Sequence, residues 1–174
     1  LHFWSGGLPL HSKWQIKESH ASRATICTHW FSKKKFVQAA DCFTQLVSKA
    51  GQPQTKQKHY KVGIWIRNAI LALKKAAAQE KRTERAAFLR EQAVKLSQRY
   101  LREKYYVTET QKGMATTILH ELTDAIGYAH LTIISGGIKA VIQVVGYHFH
   151  AQGKGSWSQK VRPGRYNIIL RYPS

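Results

Sequence analysis

The sequence predicts an α+β protein in which N-terminal helices precede a small antiparallel β-sheet. Up to Gly127, apolar residues recur at the three- and four-residue spacing of amphipathic helices. From Leu131 onward this spacing gives way to short runs rich in isoleucine, valine and tyrosine, separated by glycine and proline turns. A chain of 174 residues is long enough to bury a hydrophobic core.

We expect a single domain, residues 1–174, made of three parts. Residues 1–50 are an aromatic N-terminal arm, mainly loop up to residue 31, followed by a helix that starts at the lysine triplet Lys33–Lys35. Residues 51–127 form the helical part, and residues 128–174 form a β-rich basic part.

Two features of the helical part can be placed from local sequence. The charged stretch Gln79–Arg85 is either the middle of one long helix or the turn of a helical hairpin. We favour the hairpin, because it buries the apolar stripes on both sides against each other. Thr108 and Gln111 resemble a capping box, which predicts a helix that begins near Glu109 and ends at Gly127.

The C-terminal part is expected to contain three strands. They correspond to Leu131–Ile134, Ile138–Phe149 and Tyr166–Tyr172. Gly153–Ser156 is expected to be a flexible basic loop, and Tyr105–Val107 a short additional strand.

The strongest global signal is the formal net charge of +19, with a pI near 10.2. Such a field attracts polyanions, so we expect a nucleic acid, an acidic protein or an anionic membrane surface as partner. No apolar run reaches the roughly 20 residues that span a bilayer. After Thr110 the only acidic residues are Glu121 and Asp124.

The sequence leaves the state of its two cysteines and the origin of the chain open. Cys27 and Cys42 could form one disulfide or remain two buried thiols. Because the chain starts at Leu1 rather than Met, we expect a processed product or an excised domain, with a secreted effector as one setting.

Five residues near the end of the predicted Glu109 helix form a pattern typical of a catalytic metal site. In chain order they are His120, Glu121, Asp124, Gly127 and His130. Side chains four residues apart lie on one helix face, so His120 and Asp124 could bind one metal ion. Gly127 would let the chain fold back to bring His130 in as a third ligand, leaving a position open for water. Glu121 would act as general base on that water.

This pattern resembles the extended motif of the metzincin zinc metallopeptidases, HExxHxxGxxH, with Asp124 in place of the middle histidine. The resemblance implies that His120 and His130 are zinc ligands, that Asp124 is a candidate third ligand, and that Glu121 is the catalytic base. It implies a zinc-dependent hydrolase that cleaves peptides, with a toxin or effector domain as one setting. The methionine turn of that family has no counterpart, since Met114 lies upstream. The alternative is an ordinary amphipathic helix with a glycine cap.

A second candidate site lies in the basic C-terminal part. Its members are His148, His150, Lys154, Arg162, Arg165 and Tyr166. On a strand, His148 and His150 would share a face. Two imidazoles and a lysine can cleave RNA without a metal ion, which gives a metal-independent RNase as the second hypothesis. A non-catalytic nucleic-acid-binding or ribosome-associated protein is the third, and in it the histidines are simply surface residues.

Overall fold

The computed structural model describes residues 23–137 and 139–174, and within them helices precede strands. The helices are α1 (residues 23–32), α2 (Phe36–Ala50), α3 (Lys56–Gln79), α4 (Thr83–Arg102) and α5 (Glu109–Ile126). From α2 to α5, each helix packs against the next one in the chain. The connections between α2, α3, α4 and α5 are short, which favours antiparallel neighbours in a linear array. None of the described helices is long and apolar enough to cross a membrane.

Five antiparallel strands follow the helices. They are β1 (Ala129–Ile134), β2 (Val141–Gly146), β3 (Phe149–Lys154), β4 (Ser156–Val161) and β5 (Tyr166–Arg171). Their order in the sheet is β1-β4-β3-β2-β5. The predicted fold class, α+β with N-terminal helices and a small antiparallel sheet, is therefore confirmed.

Four strands form one long, bent hairpin, in which β1 and β2 make one arm and β3 and β4 make the other. β2 turns into β3 at Tyr147 and His148, and only Gly155 separates β3 from β4. Gly155 has a φ of 76°, its amide donates to the carbonyl of Ala140 at 2.8 Å, and its carbonyl accepts the amide of Ser135 at 2.9 Å. β3 and β4 meet only across this corner, so the sheet consists of a β1-β4 part and a β3-β2-β5 part.

The helical array and the sheet have separate apolar cores. Large buried side chains of the array come from α2, α3, α4 and α5: Phe43, Leu46, Val62, Ile66, Tyr100 and Ile126. The core of the sheet is small and consists of Ile142, Val144, Trp157 and Val161. A disulfide between Cys27 and Cys42 joins α1 to α2, which settles the choice that the sequence left open.

The sheet meets α4 through aromatic and charged side chains. The rings of Phe88 and His148 stack with centroids 4.4 Å apart. Arg162, only 6% exposed, donates to a carboxylate oxygen of Glu91 at 3.2 Å. It also donates to the carbonyls of Tyr147 at 2.7 Å and His148 at 3.1 Å. The hairpin turn is thus fixed to α4.

β5 forms an edge of the sheet and exposes apolar side chains. It pairs with β2 on one side. Ile168, Ile169 and Leu170 are 45%, 42% and 37% exposed. Consecutive strand residues point to opposite faces, so apolar surface lies on both faces of this strand.

Two of the local predictions for the helices are confirmed, and two predictions for the region up to α2 are wrong. α3 and α4 form the predicted hairpin, and α5 begins at Glu109, where the Thr108 hydroxyl accepts the amide of Gln111 at 3.2 Å. The loop predicted before Lys33 is helical from residue 23 to 32, and the rest of the predicted arm, residues 1–22, lies outside the described residues.

The lysine triplet does not start a helix as predicted. Lys34 has a φ of 58°, so the triplet forms the turn between α1 and α2, and α2 begins at Phe36. Residues 105–107 are also not a strand, but a connection between α4 and α5.

The strand predictions after Gly127 are correct at β1 and β5 and only partly correct between them, where β2 lies inside the predicted strand. The predicted strand Ile138–Phe149 is interrupted by the turn at Tyr147 and His148. The predicted flexible loop Gly153–Ser156 is the corner where β3 becomes β4, and its backbone is hydrogen-bonded.

Candidate functional site

The zinc-peptidase motif does not form a metal site. Within residues 23–137 and 139–174, no group of three or more His, Cys, Asp and Glu side chains is placed to hold a metal ion. Glu121 is exposed and pairs with Lys74 at 3.0 Å. His120 and Asp124 are exposed on α5, while His130 lies on β1 opposite Lys160.

The physical reason is the path of the chain after α5. Gly127 has a φ of 66° and ends the helix, as predicted. However, the chain does not fold back over α5 and instead enters β1 two residues later, where it pairs with β4. The resemblance to metzincins is therefore wrong, and the stretch is an amphipathic helix with a glycine cap.

The histidines of the second candidate site are placed differently from each other. His148 lies in the hairpin turn with a φ of 46°, and its ring stacks on Phe88. His150 is exposed on β3, opposite Val145 of β2. They therefore do not occupy successive positions on one face of a strand, as the sequence predicted.

The cations and the tyrosine of that second site have mixed roles. The guanidinium of Arg162 is buried against Glu91 and two carbonyls, so it contributes to the junction between sheet and helices. The hydroxyl of Tyr166 donates to the carbonyl of Arg162 at 2.7 Å, and burial raises the pKa of this phenol. Lys154 and Arg165 remain exposed.

Positive charge is concentrated on the first helices and on the sheet. Between Arg23 and Gln79 the sequence has eleven lysines and arginines against one carboxylate, Asp41. The sequence after Tyr128 has no carboxylate side chain. Most carboxylates lie on or beside α4 and α5 and pair with a cation: Glu80, Glu84, Glu91, Glu103, Glu109 and Glu121.

A first surface depression lies where α1 and α2 meet α3. It has a volume of about 510 Å³ and an apolar floor that includes Ala50 and Val62. Lys49, Lys58 and Lys61 line it, and so does Trp65. It is an apolar hollow surrounded by lysines, with no carboxylate side chain among the residues that line it.

A second depression lies on the other side of α3, against the connection between α4 and α5. Its volume is about 630 Å³. Lys56, Tyr60 and Tyr106 line it, and the side chain of Tyr60 is 50% exposed. Pro53 borders both depressions, so they are adjacent.

The helical period explains why one short stretch lines both depressions. Lys58, Lys61 and Trp65 share one side of α3, whereas Lys56 and Tyr60 lie on the other. We call this surface the α3 basic face. It consists of Lys49, Lys56, Lys58, Tyr60, Lys61, Trp65 and Tyr106. In the described part of the chain, its lysines take part in none of the ion pairs.

The tyrosine side of the α3 basic face is supported by close packing beneath it. The ring of His59 stacks on Tyr105 with centroids 4.4 Å apart, and His59 Nε2 lies 3.1 Å from the carbonyl oxygen of Glu103. A Cβ at Gly63 would lie 2.9 Å from the carbonyl oxygen of Tyr105. Glycine is thus what lets the segment that carries Tyr106 approach α3 so closely.

A carboxylate near these tyrosines, that of Glu103, is already engaged. Tyr105 donates to Glu103 at 2.6 Å, and Arg99 lies 3.2 Å from the same carboxylate. Partial burial opposes ionisation of Glu103, but these contacts and that with Arg102 outweigh it and lower the pKa of the carboxyl. Burial and the hydrogen bond to Glu103 raise the pKa of Tyr105. The charge of Glu103 is therefore balanced locally.

Neither candidate site predicted from the sequence includes the α3 basic face. A signal was present, because Lys56–Lys61 reads KQKHYK, in which cations alternate with aromatic and polar residues. The contributions of Lys49, Trp65 and Tyr106 depend on how the helices pack, which no local pattern predicts.

No family model matches the chain, and neither a curated protein nor a solved structure does.

Proposed function

We propose that the protein binds nucleic acid through the α3 basic face, without cleaving it. The observation that carries the proposal is the group of exposed lysines, free of ion pairs with other described residues, around two adjacent depressions that also contain tyrosine and tryptophan. Lysines supply the sequence-independent attraction to phosphates, and aromatic side chains offer surfaces for bases.

The distribution of charge supports a nucleic-acid site on the α3 basic face rather than on α4 and α5. Carboxylates of α4 and α5 pair with nearby cations, so that region presents a mixed surface. By contrast, Asp41 is the single carboxylate in the sequence from Arg23 to Gln79. A polyanion approaching the array therefore meets uncompensated positive charge mainly at α1 to α3.

The start of α3 adds a favourable dipole to these lysines. Its first turn contains no acidic residue, and the Thr55 hydroxyl accepts the amide of Lys58 at 3.2 Å. The positive end of the dipole of a 24-residue helix therefore points toward the same surface as Lys56 and Lys58. This is a supporting contribution, since the lysines carry most of the attraction.

The proposal is tested by removing the lysines and measuring affinity as a function of salt. The variant carries Lys56→Gln, Lys58→Gln and Lys61→Gln, and the probe is a fluorescein-labelled, mixed-sequence RNA followed by anisotropy. We expect the dissociation constant at low salt to rise about tenfold or more. The slope of log affinity against log salt should fall by about 2, because each lost phosphate contact changes it by roughly 0.7 to 0.9.

The matched control carries Lys139→Gln, in the connection before β2, with Lys154→Gln and Lys160→Gln in the sheet. It has the same net charge as the first variant, and these lysines are also exposed. We expect it to change the dissociation constant by less than about threefold, because its phosphate contacts are kept. Equal weakening by both triple variants would show that only net charge matters, and absence of RNA binding at low salt would refute the function itself.

A further inference from the structure

Tyr60 and Tyr106 indicate which form of nucleic acid the α3 basic face would bind. We infer that the α3 basic face takes single-stranded nucleic acid, with bases stacked on Tyr60 and Tyr106. This inference rests on the proposed function, since it specifies which form of nucleic acid the same surface binds.

Tyr60 is 50% exposed, although phosphate binding does not require it. Phosphate contacts need only the lysines, yet half of the Tyr60 side chain faces solvent inside the second depression. Leaving an aromatic side chain in water forgoes the stabilisation that burying its apolar surface would give. A base that stacks on the ring would cover that surface.

The form of the nucleic acid decides whether a base can reach these rings. In a duplex the bases are stacked on each other, and a protein meets phosphates and the edges of base pairs. In a single strand the faces of the bases are accessible and stack on aromatic side chains. A depression with Tyr60 and Tyr106 on its walls therefore suits an unpaired base and provides few contacts to a duplex.

The placement of the lysines fits a strand that crosses the start of α3. Lys56 lines the depression with Tyr60, while Lys58 and Lys61 line the one with Trp65. A backbone that passes over Pro53 from one depression to the other would meet lysines on both sides. Its bases could then enter either depression.

The packing below the tyrosines fixes the geometry of the second depression. Tyr105 is 3% exposed, its ring stacks on His59, and its backbone lies close to Gly63. Lys112 lies over the ring of Tyr106, with its Nζ 5.7 Å from the ring centroid. Tyr106 is thus held at the wall, and less conformational entropy is lost when a base binds.

The test compares single-stranded and duplex oligonucleotides of one sequence, as RNA and as DNA, in the full chain. The variants are Tyr60→Leu and Tyr106→Leu, which keep apolar bulk and remove the aromatic face. Each should weaken single-strand binding about tenfold and leave duplex binding and the salt slope unchanged. Tyr172→Leu is the control, since Tyr172 is a 54% exposed tyrosine beyond β5, and it should have no effect.

A direct readout of stacking accompanies the affinities. A single strand that contains 2-aminopurine should lose fluorescence on binding the native chain, and Tyr60→Leu should restore most of it. Circular dichroism verifies that the leucine variants are folded.

The outcomes separate this inference from the function on which it rests. Equal affinity for duplex and single strand, with neutral tyrosine variants, would overturn the inference and leave nucleic-acid binding standing. Quenching that persists in Tyr60→Leu and Tyr106→Leu would also overturn it. If neither form binds at low salt, both proposals fail.

Discussion

The guanidinium of Arg162 lies 3.2 Å from the carboxylate of Glu91 and links the sheet to α4. Arg162 is 6% exposed and Glu91 is 19% exposed, so this pair is much less hydrated than the others in the described chain. We expect Glu91→Ala to lower the free energy of unfolding by about 2–4 kcal/mol, because a buried guanidinium would lose its counter-ion. Urea denaturation measures this change.

Lys95 provides the control for that pair, because it contacts the same carboxylate from solvent. Its Nζ lies 3.5 Å from Glu91, and its side chain is 64% exposed. Lys95→Ala should change the free energy of unfolding by less than about 1 kcal/mol. Similar losses in Glu91→Ala and Lys95→Ala would contradict a special role for the buried pair.

Tyr128 makes stability sensitive to alkaline pH. Its hydroxyl donates to Glu91 at 2.8 Å, and burial together with this bond raises its pKa from 10.0 to about 12. The folded state thus holds the phenolic proton more tightly than the unfolded chain does. The stabilisation that comes from the protonated Tyr128 is fully present below pH 10 and is lost as the pH rises toward 12.

Urea midpoints between pH 9 and 12 test this dependence. Tyr128→Phe should lose less stability across this range than the native chain, because one linked proton is removed. Tyr172→Phe, at a 54% exposed tyrosine, is the matched control and should follow the native curve. Parallel curves for the native chain and Tyr128→Phe would refute the linkage.

Gly63 and Gly113 lie inside helices and should respond oppositely to alanine. A Cβ at Gly63 would lie 2.9 Å from a backbone oxygen of Tyr105, whereas nothing lies within 4 Å of a Cβ at Gly113. Gly63→Ala should destabilise by about 1–3 kcal/mol, because α3 and the 105–107 connection must separate. Gly113→Ala should stabilise by about 0.5–1 kcal/mol through helix propensity.

Thermal and urea denaturation of these two variants give the comparison directly. The substitution is the same and both sites are helical, so propensity cancels in the difference between them. A Gly63→Ala protein as stable as Gly113→Ala would show that the close approach to Tyr105 does not constrain α3.

The disulfide between Cys27 and Cys42 should contribute to stability. It joins cysteines 15 residues apart and ties α1 to α2. For a loop of that size, the lost entropy of the unfolded chain corresponds to about 3 kcal/mol. The variant Cys27→Ala/Cys42→Ala should therefore denature at lower urea concentration.

Reduction offers an independent check of the same bond. Dithiothreitol should lower the urea midpoint of the native chain toward that of the double-alanine variant and leave the variant itself unaffected. An unchanged midpoint in the reduced native chain would contradict the assignment.

Local sequence was sufficient where a structure depends on neighbouring residues. The Thr108 cap and the Gly127 stop predict α5 because each acts on backbone groups within four residues. The α3–α4 hairpin also follows from its two apolar stripes. By contrast, β3 and β4 went unpredicted, because residues 149–161 are mostly small or polar and only Trp157 and Val161 are buried.

Both sequence-derived sites depended on the path of the chain, which local patterns do not specify. The metal site needed His130 to return to α5, but hydrogen bonding to β4 directs the chain away. The pair His148 and His150 needed one continuous strand, but a turn lies between β2 and β3. The α3 basic face instead depends on Tyr106, which helix packing brings next to α3.

The open edge at β5 makes the behaviour of the protein in solution depend on its charge. Strand edges with exposed isoleucines can pair with one another, and Ile168, Ile169 and Leu170 lie on such an edge. Repulsion between molecules of net charge +19 opposes this pairing. At about 0.1 M salt that repulsion reaches only about 10 Å. If the α3 basic face binds a polyanion as proposed, the bound charge would weaken this repulsion further, and we would expect self-association through β5 to increase.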